Sequence, residues 1–167
     1  MIERRLRVAA WTAAIVLVAD QVTKAVVQRA MALHESIPLL PFFSLTYVRN
    51  TGAAFGLLAD LPPAVRLGLF GAVTAVAIAA LASYLRQIRD DQPWLAGALG
   101  GIVGGAAGNL VCRIRYGEVV DFLHLHYRGF DWPMFNVADS AISVGVVIVL
   151  LHSLRAGAAE PVVSERR

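Results

Sequence analysis

Asp121 and Asp139 are the residues of this chain whose types and surroundings best suit joint chemistry. Asp121 sits in Gly117-Glu118-Val119-Val120-Asp121-Phe122-Leu123, an acid between valine and phenylalanine. Asp139 sits in Phe135-Asn136-Val137-Ala138-Asp139, at the head of an apolar run. Two carboxylates brought close in a low-dielectric setting do not both ionise easily: one pKa rises and the other stays low. Such a pair shares one proton. Its ionised member can activate water and its protonated member can polarise a carbonyl. The macroscopic pKa values belong to the pair, so the sequence does not say which acid is the base.

Each acid also has a plainer account. Asn136 is a good N-cap and Asp139 falls three residues later, the spacing of a capping box. Acids in exposed loops are commonplace, which would cover Asp121. Other chemistries are less well supplied. No serine–histidine arrangement has comparable placement. His124 and His126 alternate on a strand-like segment and could bind a metal, but no strong third-ligand motif accompanies them. The single Cys112 cannot form an internal disulfide and reads as a small apolar residue on a helix.

The elements that must position these acids are membrane helices. The chain has 167 residues, 57% hydrophobic and only 16% charged, with a mean hydropathy of +0.63. A soluble domain usually carries about 25% charged residues. Leu67 to Leu85 and Trp94 to Cys112 contain no charge. Val137 to Leu154 contains only Asp139, and Val8 to Gln28 is apolar through Ala19 before Asp20 and Lys24. Each run approaches the roughly 20 residues that a bilayer-crossing helix needs. These runs predict one polytopic domain over 1–167, with helices at about 8–28, 65–86, 94–112 and 137–155. A tail at 156–167, small, polar and proline-containing, is expected to be disordered. The first run is read as a retained helix, because Leu17 is too large for an A-x-A cleavage site.

Arg4, Arg5 and Arg7, then Arg86 and Arg89, then Arg155, Arg166 and Arg167 fall on one side of such a layout. The positive-inside rule makes that side, and both termini, cytoplasmic. The net charge of +3 is accounted for there, and no basic stripe interleaved with aromatics points to nucleic acid.

Several features then converge on the outer boundary. Asp20 and Lys24 are spaced i, i+4 near the outer end of the first helix, and an ion pair is their plain reading. Gly97, Gly101 and Gly105 recur every four residues, as do Gly100, Gly104 and Gly108, a spacing that lets helices approach closely. The first series continues to Asn109 and Arg113. The seam thus ends in an amide and a guanidinium, unless it is packing alone and Arg113 snorkels. In the first outward loop, about 29–64, Phe42-Phe43-Ser44-Leu45-Thr46-Tyr47-Val48 predicts a small β element at the membrane surface, followed by the turn signal Asn50-Thr51-Gly52.

Five segments, in order and on a four-helix layout, carry a resemblance. They are Asp20-Gln21-Val22-Thr23-Lys24, Asn50-Thr51-Gly52-Ala53-Ala54-Phe55, Gly108-Asn109-Leu110, Val119-Val120-Asp121-Phe122 and Phe135-Asn136-Val137-Ala138-Asp139. With these the sequence resembles prolipoprotein (type II) signal peptidase from Asp20 to about Leu150. The resemblance implies an aspartic endopeptidase of the bacterial cytoplasmic (inner) membrane with its active site at the outer face. It would remove the signal peptide from diacylglyceryl-modified prolipoproteins, cleaving just before the lipidated cysteine. Asp121 and Asp139 would be catalytic. Asn50, Gly52, Asn109, Arg113 and Asn136 would be polar site residues, with Asp20 and Lys24 supporting. No metal or organic cofactor is implied. Membrane lipids and globomycin-type inhibitors are the further expected partners of a monomer. Cys112 stands where the family usually has an acid before the arginine, which bears on the contacts of Arg113.

The competing class is a small four-helix proton-coupled transporter, which would place its acid deep within a helix. A structural or assembly factor would use the glycine seam but leave the acid pair without a role.

Overall fold

The structure is a computed structural model that describes residues 3–52, 58 and 60–158. The motif residues Ala53-Ala54-Phe55 therefore lie outside the described residues. Four helices, α1 (Arg4–Ala30), α2 (Pro63–Gln87), α3 (Pro93–Tyr116) and α4 (Val137–Ala158), are each long and apolar enough to cross a membrane. The protein is a multi-pass membrane protein. Proline opens α2 and α3, where a missing N–H leaves no helical bond unmade. Gly117 ends α3 in the left-handed region at φ 74°, and its N–H returns to the Arg113 carbonyl at 2.9 Å. A side chain with a Cβ would be strained there. Helix α4 continues through Ala158, and residues 159–167, the rest of the expected tail, lie outside the described residues.

The β element is larger than the first loop alone. Strands β1 (Ser36–Leu40) and β2 (Phe43–Asn50) come from that loop, and β3 (Val119–Tyr127) and β4 (Phe130–Asp131) from the loop after α3. They form one antiparallel sheet in the order β1-β2-β3-β4. Asp121 accordingly lies on a strand, opposite Val48, rather than in an irregular loop. The physical reason is the β-branched pair Val119-Val120 followed by Phe122 and Leu123, which favours a pleated, half-buried surface. Between Leu45 and Val48 the register shifts, and a bulge of this kind bends its strand and adds twist. Val27 and Met31 at the end of α1 pack with Tyr47, Val120 and Phe122, which fastens the sheet to the helices.

Helix α3 is the buried centre of the bundle, whereas α1, α2 and α4 turn much of their surface outward. The glycines explain how. A Cβ at Gly100 would collide with the backbone of Ala9, and one at Gly104 would lie 2.5 Å from the Ala13 carbonyl oxygen, both on α1. A Cβ at Gly105 would lie 2.5 Å from the Ala138 carbonyl oxygen on α4. The two interleaved glycine rows thus seat two different helices against one. In lipid such contact replaces the hydrophobic drive that water supplies.

Gly104→Ala should therefore separate α1 from α3 and lower stability by about 1–3 kcal/mol. Gly97→Ala, whose Cβ would meet Thr12 and Val8 at 3.7 and 3.8 Å, should stay within about 1 kcal/mol of the parent. Denaturant unfolding in micelles compares the two.

Candidate active site

The glycine rows place Asn109 and Arg113 at the sheet end of α3, where α1, α4 and β3 converge. Three asparagines there are each oriented by a group that can only donate. The Lys24 ammonium donates to Asn109 Oδ1 at 2.8 Å, so the Asn109 amide N–H faces away from it and donates to Asp139 Oδ1 at 2.8 Å. The Asp139 backbone N–H donates to Asn136 Oδ1 at 3.0 Å, which turns the Asn136 Nδ2 toward Asp121 Oδ1 at 2.6 Å. The Gly52 N–H donates to Asn50 Oδ1 at 3.0 Å, which turns the Asn50 Nδ2 toward Asp121 Oδ2 at 3.1 Å.

Asp139 also accepts from the Asn136 backbone N–H at 3.1 Å, so both halves of a capping box are formed at the start of α4. The structural and chemical accounts of Asp139 are thus compatible: its oxygens cap the helix and also border Asn109. Asn136 is fully buried and spans the pair, holding Asp139 through its backbone N–H and Asp121 through its amide.

Asp121 is only 3% exposed, and its oxygens are met by amides rather than by a cation. Burial pushes its pKa up to about 6, and the neighbouring charge of Asp139 adds to the rise. Hydrogen bonds from Asn50 and Asn136 pull the other way without overcoming burial. One carboxyl of the pair therefore keeps its proton well above the ordinary range for aspartate.

Both acids line a cavity of about 510 Å³, together with Asn50, Gly52, Asn109 and Arg113. The Arg113 guanidinium donates to the Gly52 carbonyl at 3.0 Å and lies 4.0 Å from the Phe70 ring centroid. Its Nε is buried and has no hydrogen-bond partner among the described residues. Cys112 instead approaches Gln21, with its sulfur 3.8 Å from Nε2. Phe70 carries no motif and sits in a charge-free run, so nothing in the sequence singled it out. Trp132 also lines the cavity and could have been noticed only as an aromatic near the acids. The cavity extends along α4 to Val144, which is 60% exposed on the bundle's surface.

Asp20 and Lys24 stand behind this wall. Lys24 donates to Asp20 Oδ2 at 2.9 Å, and the other carboxylate oxygen of Asp20 accepts the Ala138 N–H at 3.0 Å. The ion pair, at most 2% exposed, ties α1 to α3 and α4. His124 and His126 lie on β3 and bond within the sheet, to Thr46 and Asp131 and to Ser44. Among the described residues no three His, Cys, Asp or Glu side chains are grouped to hold a metal ion.

Lys24→Met would leave the Asp20 carboxylate buried without its cation, and should destabilise by about 3–5 kcal/mol. Adding Asp20→Asn should recover much of that loss, giving a coupling that a double-mutant cycle of unfolding free energies measures.

The chain as a whole is similar to known proteins. The family model described as signal peptidase (SPase) II matches residues 12–155. The lipoprotein signal peptidase of Syntrophotalea carbinolica is 47% identical, over 92% of this chain and 94% of its own. That of Geobacter metallireducens is 50% identical, over 85% and 87%. A bacterial membrane enzyme solved by the in meso method at 2.3 Å superposes with a TM-score of 0.82 at 30% identity, covering 99% of this chain and 96% of that one. A second such enzyme, at 1.9 Å, gives 0.79 at 30% identity, over 91% and 96%. These likenesses lend no support to a transporter. The chain belongs to the signal peptidase II family of membrane proteases.

Proposed function

We propose that this protein is an aspartic endopeptidase that removes the signal peptide from diacylglyceryl-modified prolipoproteins, cleaving just before the lipidated cysteine. The observation that carries the reading is the placement of Asp121 and Asp139 on the wall of one cavity, joined through Asn136. Their oxygens are held by amides, and among the described residues neither carboxyl forms a salt bridge to a cation.

The chemistry follows from that pairing. The ionised carboxyl takes a proton from water as the water attacks the scissile carbonyl, and the protonated carboxyl hydrogen-bonds the carbonyl oxygen. The second carboxyl's proton then goes to the leaving amine. Asn50, Gly52 and Arg113 supply polar contacts along the cavity, where an extended peptide backbone offers carbonyls and N–H groups. Asn109, Asp20 and Lys24 act through the acids rather than on substrate. Water is the only co-reactant the scheme requires.

The substrate's lipid and signal helix reside in the bilayer, so access is lateral, along the face of α4 near Val144. The positive residues flanking the helices support an orientation with both termini in the cytoplasm and the sheet on the outer side of the inner membrane. The whole chain works as a single membrane domain, active as a monomer, with lipids as its solvent and globomycin-type cyclic peptides as inhibitors.

Asp121→Asn and Asp139→Asn should each lower cleavage of a lipid-modified prolipoprotein by more than roughly 10³-fold, since each removes a proton-transfer partner. Both variants should elute and unfold as folded protein. Full activity in either would exclude the pair.

A further inference from the structure

Between the last turns of α1 and α3 lies a second polar cavity, of about 370 Å³, that the cleavage chemistry does not use. Its walls include Gln21, Lys24, Gln28 and Arg29 from α1, and Arg115 and Tyr116 from α3. Among the described residues its lining holds three cations and no carboxylate. Lys24 is answered by Asp20 behind it. Arg29 and Arg115 are exposed and meet no carboxylate among the described residues. The Arg115 guanidinium rests 5.2 Å from the centroid of the Tyr116 ring, which holds it at the rim.

The level of this cavity in the bilayer follows from helix length. The 27 residues of α1 rise about 40 Å, close to the full thickness of a bilayer with its headgroups. The last turn of α1, with Arg29, therefore stands among headgroups on the sheet side. Arginines at helix C-termini also complement the helix dipole. That accounts for their sign, but not for a partly open cavity whose polar walls add amide and phenol groups and, among the described residues, no acid.

We propose that this cavity binds a phosphate anion, supplied by the headgroup of an anionic phospholipid in the leaflet on the sheet side. Arg29 and Arg115 provide the charge, Gln28 and Tyr116 provide neutral donors to phosphate oxygens, and Lys24 forms the back wall beside Gln21, whose amide N–H groups are held by Asp20 Oδ2 at 3.0 Å and the Gly108 carbonyl at 3.1 Å. Lys24 also bonds Asn109 at 2.8 Å, and Asn109 bonds Asp139 at 2.8 Å. A bound phosphate is thus separated from the acid pair by that short chain and steadies its anchor. The site does not depend on the peptidase reading, because binding is measured without substrate.

The test uses the full chain in micelles, with lipid retention followed by native mass spectrometry and unfolding temperature followed on titration. Phosphatidylglycerol should be retained and should raise the unfolding temperature, and phosphatidylcholine should do neither. The double variant Arg29→Gln with Arg115→Gln should weaken phosphatidylglycerol binding by at least roughly tenfold. Arg29→Lys with Arg115→Lys should keep the preference for the anionic lipid. Soluble glycerol 1-phosphate distinguishes the sources: displacement of lipid at comparable concentration assigns the cavity to free phosphate esters, and no displacement assigns it to the membrane. Equal binding of the two lipids, or unchanged phosphatidylglycerol binding in the double glutamine variant, would overturn the proposal.

Discussion

A buried carboxylate needs hydrogen-bond donors, but a cation placed directly on it would hold it permanently ionised and unreactive. This protein meets both demands by setting the cation one residue back. Lys24, neutralised by Asp20, does not reach Asp139; it fixes the orientation of Asn109, and Asn109 presents its N–H to the acid. The same device recurs at Asn136 and Asn50, whose oxygens are occupied by backbone N–H groups so that their amides face Asp121. An asparagine that could rotate freely would offer an oxygen as readily as a nitrogen. Here each rotation would place two acceptors or two donors face to face.

The arrangement has a stability consequence. Folded Asp121 holds its proton up to about pH 6, whereas an unfolded aspartate releases it near 3.8. The folded state then binds more protons than the unfolded state across that interval, so stability falls as pH rises through it and stays lower above. The bundle has to offset this penalty elsewhere. Close approach of α1 and α4 to α3 across the glycine rows, and the ion pair that crosses between them, are the contacts placed to do so.

Much of this was legible in the sequence because lipid imposes simple rules. Charge-free runs of the right length mark the spans, and repeating glycines mark the face on which helices meet. The paired accounts of Asp139 and of the glycine seam were posed as alternatives, yet each pair coexists: a capping box that borders the cavity, and a packing seam that ends in Asn109 and Arg113. What the sequence did not disclose depends on contacts between distant segments. The pairing of β2 with β3, which puts Asp121 on a strand, joins two loops separated by α2 and α3. Phe70 under Arg113 is invisible for the same reason, since an aromatic in an apolar helix looks like any lipid-facing residue.

The central claim is that Asp121 and Asp139 are electrostatically coupled across a buried site. Titration of the Asp121 carboxyl, by carbon-13 NMR of aspartate-labelled protein in micelles, tests it most directly. The account predicts a midpoint at about 6 in the parent. It predicts a lower midpoint in Asp139→Asn, because the neighbouring negative charge is gone while burial remains. A midpoint in the ordinary range for aspartate, or one that ignores the loss of Asp139, would contradict it.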